Sequence, residues 1–139
     1  MSKVMFTSTA TAKGGREGHV KSDDGIIDLK LVDPVAGGDE KGSNPEQLFA
    51  AGYAACYDGA LNLMASKQRK EIDSEITAEV SLMEDSEDKG VKIGVVLNVN
   101  IKGVSQEEAE KLANLAHDFC PYSKATRDNI NVNLKVKAV

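Results

Sequence analysis

The only two thiols of this chain are Cys56 and Cys120, and each lies in a segment whose residue types could do chemistry. Cys56 is inside the apolar run Leu48 to Tyr57, and Cys120 is in His117-Asp118-Phe119-Cys120-Pro121-Tyr122-Ser123. They lack CxxC spacing, so they form a redox pair only if the fold brings them together. Burial in an apolar run raises a thiol pKa and leaves the sulfur inert, as an ordinary small core residue. For Cys56 to react, a cation must offset that desolvation. Arg16 is the best candidate, because it stands in a Gly-rich turn where backbone can approach another element, and Arg keeps its charge when buried. Taken singly, an Arg in a turn is equally a solvated surface residue, and Glu46, in the first turn of a helix, is explained by the helix dipole alone.

Cys120 has its own claim. Tyr122 to Arg127 can form a short helix with Cys120 at its N-terminus, a setting that lowers a thiol pKa, so local logic offers Cys120 as a nucleophile beside its reading as a helix-end core cysteine. His117, three residues earlier, completes with Cys56 and His19 a nominal Cys₂His₂ zinc set, although the paired short spacings of zinc ribbons and fingers are missing. Phosphate loops, a GxSxG elbow and an HExxH helix are absent, so no nucleotide cofactor is indicated.

The elements that must position these residues follow from periodicity and punctuation. Phe6 to Ala12 alternates and predicts a strand, broken by Gly14-Gly15-Arg16-Glu17-Gly18. Val20 and the run Ile26 to Val32 predict further strands around the turn Ser22-Asp23-Asp24-Gly25, giving a three-stranded meander. After the Gly-rich loop Pro34 to Ser43, Asn44-Pro45-Glu46-Gln47 carries a cap, a first-position proline and a third-position Gln, so a helix begins there and runs to about Lys67. Its first part is apolar on all faces, the mark of a buried helix, and its Ala and Gly residues let another backbone come close.

Ile72 to Leu82 and Ile93 to Ile101 alternate and predict an antiparallel hairpin around the acidic turn Glu84 to Gly90. Ser105-Gln106-Glu107-Glu108 is a capping box that opens a second helix ending near Pro121. Ile130 to Val136 alternates as a last strand. With no regular βαβ alternation, the order predicts a single α+β domain over 1–139.

Composition sets the outer limits. A chain of 139 residues can bury one core, but aromatics are 4% and Trp is absent, so Ala and aliphatic packing must carry it. A net charge of -5 with scattered lysines argues against a nucleic-acid or anionic-membrane surface. The N-terminus has no apolar stretch of signal-peptide length and no segment approaches the ~20 apolar residues of a spanning helix, so a cytoplasmic protein is expected. In a reducing compartment the two thiols are then core residues, metal ligands or a redox couple, and not a static disulfide.

Read together, Asn44-Pro45-Glu46-Gln47-Leu48-Phe49-Ala50-Ala51-Gly52-Tyr53-Ala54-Ala55-Cys56 and His117-x-x-Cys120-Pro121-Tyr122-Ser123-x-Ala125-x-Arg127 resemble the organic hydroperoxide resistance (Ohr) proteins of the OsmC/Ohr superfamily. The turn from Gly14 to Val20 matches as well, and the resemblance covers Phe6 to Val136. It implies an OsmC/Ohr-like fold with antiparallel sheets around a long buried central helix, in an intertwined homodimer with its active sites at the subunit interface. It further implies a thiol-dependent peroxidase in which Cys56 is the peroxidatic thiol, Cys120 the resolving thiol, and Arg16 with Glu46 the polar pair that holds the thiolate. The implied substrate is an organic hydroperoxide and the implied reductant a dithiol of the lipoyl type on a lipoylated protein, with no metal, flavin or other cofactor. Phe49, Tyr53, Leu61, Met64 and Phe119 are the apolar candidates for a pocket favouring bulky hydroperoxides, and each is otherwise ordinary core. Asp128 stands where the family usually has Gly, and the Pro34 to Ser43 loop differs from the common version; both bear on loop shape and substrate entry. A zinc-stabilised binding module and a non-catalytic α+β dimer are the competing classes.

Overall fold

The computed structural model describes Ser2–Val139. Its contacts gather into two compact units, Met1–Leu48 and Phe49–Val139.

The first unit is an antiparallel meander of β1 (Ala10–Lys13), β2 (His19–Ser22) and β3 (Asp28–Lys30). The strand predicted from Phe6 starts only at Ala10. Ala10 already faces Ser22, the last residue of β2, and Gly25 then closes a turn onto the Ser22 carbonyl at 3.0 Å, so beyond Ala10 the pairing shrinks to one bond, the Asp23 N–H donating to the Thr9 carbonyl at 3.1 Å. Between β1 and β2 the chain makes a single 3₁₀ turn, Gly15–Glu17, which carries Arg16. That reversal needs glycine: Gly14 has φ +84°, and a Cβ on Gly18 would lie 1.9 Å from the Lys13 carbonyl oxygen.

After β3 the loop is tied back in two places. The Asp33 carboxylate accepts from the Val35 and Ala36 N–H groups, and Ser43 bridges beside Leu31 through bonds to Lys30 and Val32. Asn44 Oδ1 then accepts from the Gln47 N–H at 2.7 Å, the N-cap that the sequence predicts, and α1 (Pro45–Lys67) begins.

In the second unit α1 continues beside a sheet of β4 (Asp73–Glu84), β5 (Val91–Lys102) and β6 (Val132–Ala138). The β4–β5 hairpin pairs in the register that places Ile76, Ala78 and Val80 opposite Val99, Leu97 and Val95. One face therefore collects the apolar side chains, as the alternation predicts. β6 lies parallel to β5, so this sheet is mixed and not antiparallel throughout. The crossover that permits this is α2 (Gln106–Phe119) followed by α3 (Pro121–Thr126), which makes β5 to β6 a strand-helix-strand unit that the element order did not suggest. Ser105 caps α2 by accepting from the Glu108 N–H, as expected of a capping box.

The core lies between the sheet and the helices: Tyr53, Tyr57, Leu61 and Ala65 of α1, Leu97, Val99 and Ile101 of β5, and Ala109, Leu112, Ala113 and Ala116 of α2. Only one stripe of α1 is buried. Ala51, Ala55 and Gly59, on the opposite side, are exposed in this chain, so the helix that reads as apolar on all faces is buried on one. Among the described residues no helix is long and apolar enough to cross a membrane.

Candidate active site

In the second unit the fold brings the two thiols together: Cys120 Sγ lies 3.8 Å from Cys56 Sγ across 64 residues of sequence. The two sulfurs are reached differently. Cys56 is half-buried on α1, whereas Cys120 is wholly buried where α2 ends and α3 begins.

Burial pushes the Cys56 thiol above its ordinary pKa, the neighbouring Cys120 adds to that rise, and the backbone N–H of Tyr122 opposes it. Pro121 is the first residue of α3 and has no N–H, so Tyr122 carries the first donor of that short helix. The sequence offers this helix end as a device for activating Cys120; in the structure its donor acts on Cys56.

An aromatic cluster lies beside the pair. Phe49 meets Tyr53 and Tyr122 edge-on, with ring centroids 6.1 and 6.0 Å apart, and Tyr53 and Tyr122 are tilted at 5.6 Å. The close seat of Tyr122 on α1 depends on Gly52, since a Cβ there would come within 2.7 Å of the Tyr122 hydroxyl. Of the other pocket candidates, Leu61 and Met64 are buried in the core and Tyr53 is wholly enclosed. Phe119 is exposed, with the Lys67 and Lys124 ammonium groups each within 6 Å of its ring centroid at 5.8 and 5.9 Å.

Behind Cys120 runs a polar chain. Tyr53 Oη lies 2.7 Å from Ser123 Oγ, and Ser123 Oγ lies 2.8 Å from His117 Nδ1. Arg127 donates to the His117 carbonyl at 2.6 Å, closing the C-terminal end of α2. Burial, then the charge of Arg127, push the His117 ring below its ordinary pKa, against a smaller opposite pull from Asp118. Tyr57 donates to the Ala113 carbonyl at 2.7 Å, and its burial keeps that hydroxyl protonated. Ser123 was not singled out from sequence, although a serine three residues past Cys120 in a short helix stands on its inward side.

In the first unit Arg16 and Glu46 form a fork, Nη1 to Oε1 at 2.7 Å and Nη2 to Oε2 at 2.8 Å. The guanidinium holds the Glu46 carboxyl below the usual carboxylate range, and the carboxylate in turn raises Arg16. Asp33 adds negative charge near Arg16.

His19 pairs with Asp28 within the meander, and His117 Nδ1 is engaged by Ser123. Among the described residues no three His, Cys, Asp or Glu side chains converge as a metal-ligand group. Asp128 has φ +60°, a left-handed conformation that favours Gly and that Asp tolerates better than most residues.

With this geometry in hand, comparison with known proteins is decisive for the family. The model of the family described as OsmC-like protein matches residues 38–135. The chain is 57% identical over 135 residues to the organic hydroperoxide resistance protein OhrB of Bacillus subtilis, covering 96% of this chain and 99% of that one. It is 52% identical over 139 residues to OhrA of the same organism, covering 98% and 99%. The crystal structure of Bacillus subtilis OhrB superposes with a TM-score of 0.93 over 96% of this chain and all of that one (100%), at 56% identity. An organic hydroperoxide resistance protein from Elizabethkingia anophelis gives 0.92 over 99% and 100% of the two chains, at 43% identity. On these identities and on a family match spanning most of its length, the chain belongs to the OsmC-like family, among the organic hydroperoxide resistance proteins.

Proposed function

We propose that this chain detoxifies organic hydroperoxides as a thiol-dependent peroxidase, with Cys56 as the attacking sulfur and Cys120 as the resolving one. The observation that carries the reading is the 3.8 Å approach of the two sulfurs with unequal access. A peroxide reaches the half-buried Cys56 before the enclosed Cys120.

The Cys56 thiolate attacks one oxygen of ROOH; the O–O bond breaks, Cys56 becomes a sulfenic acid and the alkoxide takes a proton to leave as ROH. The Cys120 thiol then displaces water from the sulfenic acid, forming the Cys56–Cys120 disulfide before a second peroxide oxidises Cys56 irreversibly. A dithiol returns the pair to two thiols and is itself oxidised to a disulfide. Overall, ROOH and a dithiol become ROH, water and a disulfide.

Burial works against the thiolate, so the reading needs a cation and a donor for the leaving oxygen. We assign both to Arg16, oriented by the Glu46 carboxylate, with the Tyr122 N–H as a second donor to the sulfur. Phe49, Tyr53, Leu61, Met64 and Phe119 supply the apolar surroundings that favour a bulky alkyl group over hydrogen peroxide. The exposed face of α1 at Ala51, Ala55 and Gly59 fits a second copy, and a homodimer is part of the proposal. So are a cytoplasmic location and a lipoyl-type dithiol on a lipoylated protein as reductant.

The test is a count of titratable thiols and an intact mass before and after one equivalent of an alkyl hydroperoxide. Both thiols should disappear and the mass should fall by about two hydrogens. A gain of oxygen with Cys120 still free would refute the resolving step.

A further inference from the structure

Ser123 and His117 have no part in the chemistry just described, yet with Tyr53 they form a chain that spans three helices. Ser123 is completely buried and Thr126 nearly so, and Tyr53, Ser123 and His117 belong to α1, α3 and α2 respectively. α3 has six residues. A helix that short does not hold itself, so its place is set by what it is fastened to. At its start the fastenings are the Tyr122 ring seated over Gly52 and the Ser123 hydroxyl; at its end Thr126 Oγ1 lies 3.3 Å from Tyr53 Oη and Arg127 donates to the His117 carbonyl.

We propose that Ser123 is a positioning residue: bonded at once to Tyr53 and His117, its hydroxyl clamps the start of α3 so that Cys120 stays within reach of Cys56. A hydroxyl offers one donor and two acceptor sites, so it serves both partners, and either tautomer of a neutral His117 ring completes the second bond. Burial and Arg127 favour that neutral ring. The residue three positions before Ser123 is Cys120, the N-cap of α3, so a loosened Ser123 turns directly into a wider range of positions for the Cys120 sulfur. The sulfurs must close from 3.8 Å to a bond of about 2.0 Å, so the place of Cys120 bears directly on how readily the disulfide forms. A pair held that way has a high effective concentration, and misplacement by about 1 Å can cost as much as about a hundredfold.

The proposal rests on reading Cys56 and Cys120 as a redox pair, and its test separates the two. The protein, Ser123→Ala, His117→Ala and Ser123→Thr are equilibrated in glutathione buffers, where protein dithiol and oxidised glutathione exchange with protein disulfide and two reduced glutathiones. The disulfide fraction is read by alkylation and intact mass. For Ser123→Ala the equilibrium constant for the internal disulfide should fall about tenfold or more, for His117→Ala by less, and Ser123→Thr, which keeps the hydroxyl, should restore it. A role confined to general stability would lower the melting temperature and leave this constant alone. Unchanged or increased constants in the alanine variants overturn the clamp. A parent protein that forms no internal disulfide overturns the redox pair itself. If Ser123→Ala does not fold, the half-buried His117→Ala carries the decision on the same terms.

Discussion

Arg16 and Glu46 are thirty residues apart in sequence and meet fork to fork, two nitrogens on two oxygens at 2.7 and 2.8 Å. Arg16 comes from a 3₁₀ turn that glycines on both sides make possible, and Glu46 from the first turn of α1. A planar guanidinium held on both nitrogens has a fixed direction, which a lysine ammonium in its place would lack.

Arg16→Ala should therefore slow the reaction of Cys56 with an alkyl hydroperoxide by ~10²-fold or more, the usual cost of losing one donor to a developing oxyanion. It should also move the pH at which Cys56 reacts at half its maximal rate upward, because burial is then opposed by the Tyr122 N–H alone. Arg16→Lys should recover the pH profile better than the rate. The check is the rate of Cys56 loss across pH in a folded variant. Unaltered kinetics would leave the fork as a surface ion pair.

The same fork makes a pH prediction for stability. The Glu46 carboxyl is held below its ordinary value, first by the Arg16 hydrogen bonds and then by its charge, so the folded form binds its proton less readily than the unfolded chain. Its contribution is then fully present above the ordinary carboxylate pKa of about 4.5 and fades as pH falls through the lower folded value. Thermal melts of the parent and Glu46→Gln should differ at neutral pH and converge in acid. A gap that is constant or widens in acid contradicts the sign.

What sequence could and could not reveal follows the range of the interactions. The Asn44 cap, the Ser105 capping box and the alternation of β4 and β5 depend on neighbours within a few residues, and the structure has them where periodicity puts them. The direction of β6 is not local. Val132, Leu134 and Val136 alternate identically whether the strand runs with β5 or against it, and the helical crossover decides. Phe6 to Thr9 has the pattern of a strand but is not one, because β2 stops at Ser22 and only the Thr9 carbonyl is met beyond it, by the Asp23 N–H. The four proposed site residues came from the resemblance: each alone had an ordinary explanation, and that the Tyr122 N–H also bears on the Cys56 thiol could not be read locally, because the two residues are far apart in sequence. The bond between Ser123 and Tyr53 was out of reach, since the two are 70 positions apart.

Substituting each sulfur separates the two roles. Cys56→Ser should abolish turnover. Cys120→Ser should consume about one equivalent of peroxide and then stall, with oxygen added to Cys56, because the sulfenic acid has lost its only internal thiol. Peroxide consumption by dye assay together with intact mass distinguishes these outcomes. The reverse pattern, with Cys56→Ser still reacting once, would make the enclosed Cys120 the nucleophile.

The last prediction concerns which copy supplies Glu46. α1 runs unbroken from Pro45 to Lys67, and 56 − 46 = 10 positions of helix between Glu46 and Cys56 amount to ~15 Å of rise. No Glu side chain covers that length along its own helix. The small residues Ala51, Ala55 and Gly59 leave one face of α1 open to a close neighbour, so a second copy bringing its own Arg16–Glu46 fork is the expected arrangement. Mixed dimers of Cys56→Ser and Glu46→Gln chains test it. With the carboxylate supplied in trans, one of the two sites in each heterodimer keeps both residues, and its activity should approach half that of the parent dimer. With the carboxylate in cis, neither site is complete and the heterodimer should be no more active than the separate mutants. The comparison requires that Glu46→Gln alone impairs turnover, which the homodimeric variant measures first. Tagged chains co-expressed and purified through both tags give the heterodimer free of either parent, so a cis result there would remove the partner subunit from the proposed chemistry.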